Sequence, residues 1–243
     1  MTNYNLYRMS LNKLPKFIKY PTLNYPYLKC DLSEFYFPNH TKYNFMNSYH
    51  NLPYDPYILD KTRKRRYAHY DIRVSDSNLI TINHTGKNTF SQNVSDSRKE
   101  ERKYDLIENP EDHFLIQYLD LATRLLLNNI IAKEIIVDVH QVRQICYQGI
   151  NSHNSVEGIH RDGSDYVIPA LVLNRFNIRG GVSSIYNNRK EQIYRTVLEG
   201  GEFIFQDDRF LYHYVTPINY YLSDGFEEYG YRDLLGLDIT IVK

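Results

Sequence analysis

The feature that most constrains this chain is a succession of short, β-branched or alternating segments from Ile135 onward, separated by turn residues and interrupted by no helical period. Ile135, Val137, Val139 and Gln141 alternate with Ile136, Asp138, His140 and Val142. Tyr166 to Leu173 is rich in Val, Ile and Leu, and Gly180-Gly181 precedes Val182 to Tyr186. Gly200-Gly201 divides Ile193 to Leu198 from Glu202 to Phe205, and Leu211 to Val215 and Leu234 to Val242 follow. Strands in this number without intervening helices argue for an antiparallel barrel or double-sheet jelly roll, not a parallel βαβ sheet.

The first half has a different texture. From Met1 to about Asp105 the chain is rich in Tyr, Asn, Pro and charge, with short apolar islands such as Asp71 to Val74 and Leu79 to Ile82 that alternate like strands, and Tyr67 to Val74 continues the basic run Lys61 to Arg66 as a strand. Asn88 to Lys103 is polar and aperiodic, the pattern of an exposed loop that serves as a lid or an insertion. Asn109-Pro110-Glu111-Asp112 then offers an Asn cap, a proline and first-turn acids, followed by Phe114, Leu115, Tyr118, Leu119, Leu125 and Leu126 at helical spacing. The expectation is one domain over 1–243, mainly β with flanking helices. Residues 1–134 form an N-terminal elaboration and packing helix, and 135–243 form the jelly-roll core.

Composition narrows the function. With 42% hydrophobic residues the chain can bury one large core. Lys plus Arg and Asp plus Glu are equal at 29 each, so no global field draws it to nucleic acid or an anionic membrane, and a small-molecule ligand is expected. Lys61 to Arg66 reads as a solvated or ion-paired edge, not a nucleic-acid patch. The only cysteines, Cys30 and Cys146, suit a reducing, cytoplasmic setting. Met1 to Tyr20 has no signal-peptide core, and no run reaches the roughly 18 apolar residues of a membrane span.

Chemistry concentrates at Gly158-Ile159-His160-Arg161-Asp162-Gly163 and Tyr212-His213-Tyr214. Side chains two apart on an extended chain point the same way, so His160 and Asp162 present an imidazole and a carboxylate to one point. His213, on a strand whose Leu211, His213 and Val215 share a face, completes a set of three. Two histidines and a carboxylate on one face of an octahedron leave open positions for a bidentate cosubstrate and O₂, as non-haem Fe(II) sites require; tetrahedral zinc accepts the same residues. A bare His-X-Asp triplet arises often by chance, and its loop-to-strand context is what raises it above that background. His40, His50, His69, His84, His113 and His153 read as solvated. His140 is the nearest competitor, on the face opposite Val137 and Val139.

Four motifs in order carry a family resemblance: Glu157 to Gly163, Asn174 to Gly181, Asp207-Asp208-Arg209 leading to His213, and Gly230-Tyr231-Arg232-Asp233. Together they resemble bacterial 2-oxoglutarate-Fe(II) dioxygenases of the L-isoleucine 4-hydroxylase type, clearly from Ile135 to the C-terminus and loosely before it, through Tyr54-Asp55-Pro56 and Lys61 to Tyr67. The resemblance implies a double-stranded β-helix core of jelly-roll or cupin-like form. It also implies Fe(II) at His160, Asp162 and His213, 2-oxoglutarate and O₂ as cosubstrates, and hydroxylation of a free L-amino acid with release of succinate and CO₂.

The distal carboxylate of 2-oxoglutarate needs a cation, and a guanidinium fork fits it better than a point charge. Arg232 is the expected anchor, reached after an apparent insertion at Tyr220 to Tyr229, with Arg209 in reserve unless Asp207 or Asp208 holds it. Asn174 is a candidate hydrogen-bond partner of cosubstrate. Arg143 and Glu157 are the candidates for the carboxylate and ammonium of an amino-acid substrate. Alternatives left open are a carrier-tethered or peptidyl amino acid, and a non-catalytic ligand-binding jelly roll; a homodimer is compatible with the sequence.

Overall fold

Period-two alternation carries the architecture. The computed structural model describes residues 26–91, 101–221 and 228–242; the expectations for Met1 to Tyr20, for the middle of the Asn88 to Lys103 loop and for most of the Tyr220 to Tyr229 insertion lie outside them. The longest pairing joins β6 (Glu134–Tyr147) to β14 (Tyr229–Ile241), antiparallel from Tyr229 opposite Tyr147 to Ile241 opposite Ile135. Around this pair runs a seven-stranded antiparallel sheet. Its order is β1 (Tyr27–Asp31), β11 (Glu202–Asp207), β7 (Tyr166–Phe176), β14, β6, β2 (Arg63–Val74) and β3 (Ile80–His84). A smaller sheet contains β10 (Gln192–Val197), β9 (Val182–Tyr186) and β12 (Tyr212–Val215), and β8 (Ile178–Gly180) pairs with β13 (Ile218–Tyr220).

Each long strand has two faces with different partners. On the inner face Val142, Val172, Leu234 and Ile204 of the large sheet pack with Ile185 of β9 and Leu211, closing a two-layer jelly-roll core. On the outer face Val137, Val139, Leu235, Leu237, Phe203 and Phe205 pack with α1 (Asn39–Asn47) and α2 (His113–Leu127). The expected buried residues of α2, Phe114, Leu115, Tyr118, Leu119, Leu125 and Leu126, are all buried. Burying each such leucine contributes about 1.5–3 kcal/mol, more than the roughly 1 kcal/mol of a helix cap, so packing rather than local signals holds α2 in place.

The structure differs from the sequence reading in four places. The large sheet does not respect a division at residue 134, because β1, β2 and β3 all precede it. The basic run enters β2 at Arg63, and it is not an edge: β6 pairs it on one side and backbone bonds tie it to Pro53 and Asp55 on the other, while Arg63 and Arg66 are ion-paired to Asp55 and Glu108 as expected. The alternation was hidden because both faces of this stretch carry cations. The cap of α2 is Asp112, whose carboxylate accepts from the Phe114 N–H at 2.9 Å, and not Asn109. His69 is buried rather than solvated, with its Nδ1 2.7 Å from Asp138 Oδ1.

Candidate active site

A backbone bridge brings the distant halves of the metal motif together. The N–H of His160 donates to the carbonyl of His213 at 3.1 Å, and the N–H of His213 returns to His160 at 2.9 Å. This antiparallel bridge sets the two imidazoles side by side, with ring centroids 4.5 Å apart. Gly158 takes φ +79, a conformation that favours glycine, and aims its carbonyl at His160 Nδ1, 2.8 Å away. A carbonyl only accepts, so Nδ1 carries the proton and the Nε2 lone pair is left for a metal. Asp162 lies between the rings, with Oδ1 3.5 Å from His160 Nε2 and Oδ2 3.4 Å from His213 Nε2. One ligand atom from each residue falls within 4.8 Å of the others, the geometry of a facial site for one ion.

Electrostatics fit the same use. Burial opposes ionisation of Asp162, but His213 and His160 outweigh it and hold the carboxyl below its usual range. Burial pushes His213 down to about 4, leaving a neutral imidazole at physiological pH. Burial also opposes the charge on His160, yet Asp162 raises that imidazole to about 9. A divalent cation would displace this proton. Gln206, not singled out from the sequence, has its side-chain amide 3.2 Å from His213 Nδ1, and Asp208, read from the sequence as part of the motif leading to His213 and a possible partner of Arg209, has Oδ1 3.9 Å from the same nitrogen. Asp208 also accepts from the Gly163 N–H at 2.8 Å, tying the triplet loop to the strand of the distal histidine. The signal for Gln206 was its place on the inward face of β11, which a lone amide does not announce.

The three ligands open into a cavity of about 280 Å³. Its wall includes Arg63 and Arg65 of β2, His140 of β6, Asp238 of β14 and Glu157. Phe90 of β4 (Thr89–Phe90) and Arg102 of β5 (Arg102–Lys103) also line it, so the ends of the polar loop are paired strands at the site rather than exposed coil. The face of β6 opposite Val137 and Val139 is therefore the cavity face. His140 is on the wall, but it is not one of the converging ligands.

A sequence profile of the 2OG-Fe dioxygenases matches residues 46–238. The chain belongs to the 2OG-Fe dioxygenase family. Such dioxygenases use Fe(II), 2-oxoglutarate and O₂. Among solved structures the dioxygenase is similar in fold to IDO from Bacillus thuringiensis, with a TM-score of 0.71, 20% identity and coverage of 90% of this chain and 91% of the other. It is similar also to a bsmA homolog from Methylobium petroleophilum PM1, with a TM-score of 0.72, 20% identity and coverage of 84% and 82%. A third likeness is to TqaL, an Fe(II)/(alpha)ketoglutarate-dependent dioxygenase, with a TM-score of 0.67, 12% identity and coverage of 90% and 84%. No curated protein matches the sequence.

The other expected site residues of this dioxygenase divide by strand face. Arg232 occupies the inner face of β14, two residues before the cavity residue Leu234, with no accessible surface. Its Nε and Nη2 donate to Gln144 Oε1 at 3.1 and 2.8 Å and its Nη1 to the Gly181 carbonyl at 3.0 Å; among the described residues no carboxylate pairs with it. Burial lowers its pKa to about 9, so an incoming carboxylate fits what this guanidinium lacks. Arg143, in contrast, is not at the cavity. Its odd position points it outward, where Asp233 binds it at 2.6 and 2.8 Å and Tyr231 lies 4.2 Å beneath it. Asn174 is on that outer side too, donating to Tyr231 Oη at 3.2 Å. Arg209 is held by Asp207 and stacks on Tyr166, away from the cavity. Glu157 alone of the two substrate candidates lines the cavity.

Proposed function

We propose that this dioxygenase hydroxylates a side-chain carbon of a free L-amino acid, with His160, Asp162 and His213 holding Fe(II) and Arg232 holding the distal carboxylate of 2-oxoglutarate. The observation that carries this reading is the convergence of the three ligand atoms at a small cavity, with a buried guanidinium that has no acid partner on the same inner face. When bound, the iron supplies oxidative decarboxylation of 2-oxoglutarate by O₂, which yields succinate and CO₂ and puts one oxygen atom into a substrate C–H bond. The chain's own part is positional. The bridge between His160 and His213 fixes the ligand spacing, Gly158 sets one imidazole's tautomer, and Gln144 and Gly181 hold the guanidinium of Arg232 in one plane.

Asp162 supplies a carboxylate where a halogenating site would need a vacancy for halide, which supports hydroxylation. A cavity of about 280 Å³ suits a small molecule better than a folded polymer. Among the described residues no helix is long and apolar enough to cross a membrane, and the two cysteines are free and buried, in keeping with work in the reducing cytoplasm. The test is to incubate the protein with Fe(II), 2-oxoglutarate and pooled L-amino acids under air and to look for a product heavier by one oxygen. Matching succinate release, abolished by chelation, is the expected result. Oxidation of only carrier-bound or peptidyl amino acids would replace the free substrate with a tethered one.

A further inference from the structure

The charged groups of the cavity wall can be matched one against another. His160, Asp162 and His213 form the ligand set. Arg63 is spent on Asp55, with Nε 2.7 Å from Oδ2. Asp238 faces His140 Nε2 at 3.0 Å, and His140 Nδ1 faces Arg65 Nη2. Arginine only donates, so Nδ1 must accept, Nε2 must carry the proton, and Asp238 must take it. The relay thus uses one edge of Arg65 and consumes Asp238, yet brings no carboxylate to the guanidinium.

What remains is a cation built to meet an anion. Arg65 Nε is buried without a hydrogen-bond partner, and no described carboxylate lies within ion-pair distance of the group. The Tyr104 ring, 4.4 Å from the guanidinium carbon, covers one of its faces and His140 fixes its rotation. Arg65 is half-buried as a residue, but its Nε is sealed from solvent and its side-chain hydrogen bond goes to the imidazole of His140, so a fixed guanidinium without an acid partner on a cavity wall marks where an anionic ligand belongs. Arg102, also on the cavity wall, rests over Tyr57 at 5.6 Å, and among the described residues no acid partner or side-chain hydrogen bond holds it.

Register separates this group from the cosubstrate anchor. Across the inner face, Arg63, Gln144 and Arg232 lie in one row, and Arg65, Val142 and Leu234 in the next. Arg65 is therefore one row and two strands away from Arg232, with β6 between their strands. We infer that Arg65, oriented by His140, Asp238 and Tyr104, binds the carboxylate of the primary substrate. The inference rests on the hydroxylase reading above and assigns to β2 the role that the sequence suggested for Arg143.

The test uses full-length protein loaded with Mn(II) and 2-oxoglutarate, titrated calorimetrically with the L-amino acids, their primary amides, N-acetyl amino acids and dipeptides. At least one acid should bind, with its amide weaker by about tenfold to a hundredfold, the scale of one charge-assisted contact. Arg65→Gln should erase that acid-to-amide preference and leave 2-oxoglutarate affinity within about twofold, while Arg65→Lys, which keeps a charge but not the fork, should fall between. If free amino acids fail but acetylated or dipeptide acids bind with the same dependence on Arg65, the free-substrate reading falls and the assignment stands. The assignment is overturned if both variants keep the acid preference, if they weaken 2-oxoglutarate instead, or if no carboxylate in the panel binds.

Discussion

A guanidinium surrounded only by neutral oxygens, as Arg232 is by Gln144 and Gly181, is held at a desolvation cost that a bound carboxylate offsets. Arg232→Ala should therefore weaken 2-oxoglutarate binding by roughly 2–3 kcal/mol while Mn(II) affinity, read by electron paramagnetic resonance, stays nearly constant. Unchanged 2-oxoglutarate affinity would remove Arg232 from the role. Removing any one of His160, Asp162 or His213 by alanine should have the opposite signature, loss of metal binding and turnover with far-ultraviolet circular dichroism retained; tight metal binding in all three would place the site elsewhere. Gly181 tests the cradle from behind. It has φ +67, and a Cβ there would sit 2.6 Å from Arg232 Nη1. Gly181→Ala should lower stability by about 1 kcal/mol or more and weaken 2-oxoglutarate as Arg232 shifts; a variant equal to the parent in both melting temperature and cosubstrate affinity would show that the close approach is not needed.

At the scale of elements, α2 offers a clean separation of local from tertiary effects. Asp112→Ala removes the acceptor of the Phe114 N–H and should cost about 0.5–2 kcal/mol in denaturant unfolding, without change in metal or cosubstrate affinity, since the helix packs on the outer face. A larger loss accompanied by weakened 2-oxoglutarate would mean that the outer layer controls the inner. The helix was legible because its apolar positions recur at helical spacing, but its start was misplaced by three residues, since Asn109 and Asp112 are both good caps and only the turn between them decides. The strands after Ile135 were legible for the same reason of period. The second half of β2 was read as a strand but its basic start was not: Arg63, Arg65, Tyr67 and His69 all face inward, so the alternation of face is no alternation of polarity. Arg143 was misread for a related reason, since sequence shows that neighbours on a strand face opposite ways but not which way is in.

For the molecule as a whole, the ligand triplet was readable because its spacing encodes its geometry, whereas the cavity wall, Glu157 apart, was not, since it is assembled largely from β2, β5, β6 and β14. Global stability has its own reporters. Burial pushes the Cys30 thiol up to about 12 and the Cys146 thiol up to about 11, so almost no thiolate exists near neutral pH in the folded state. Both should resist a thiol-specific chromogenic reagent at neutral pH and react together on unfolding in denaturant. Rapid labelling of either in the native protein would show that its part of the core opens on its own.

The cavity draws on chain from both sides of α2: Tyr57 to Arg102 precede the helix, while His140, the ligand loops from His160 to His213 and the stretch from Leu234 to Asp238 follow it. A recombination point within the intervening helix would keep the three ligands together but part Arg65 from His140 and Asp238. Wall and ligands thus share the strands that follow α2, and a change in one is constrained by the packing of the other.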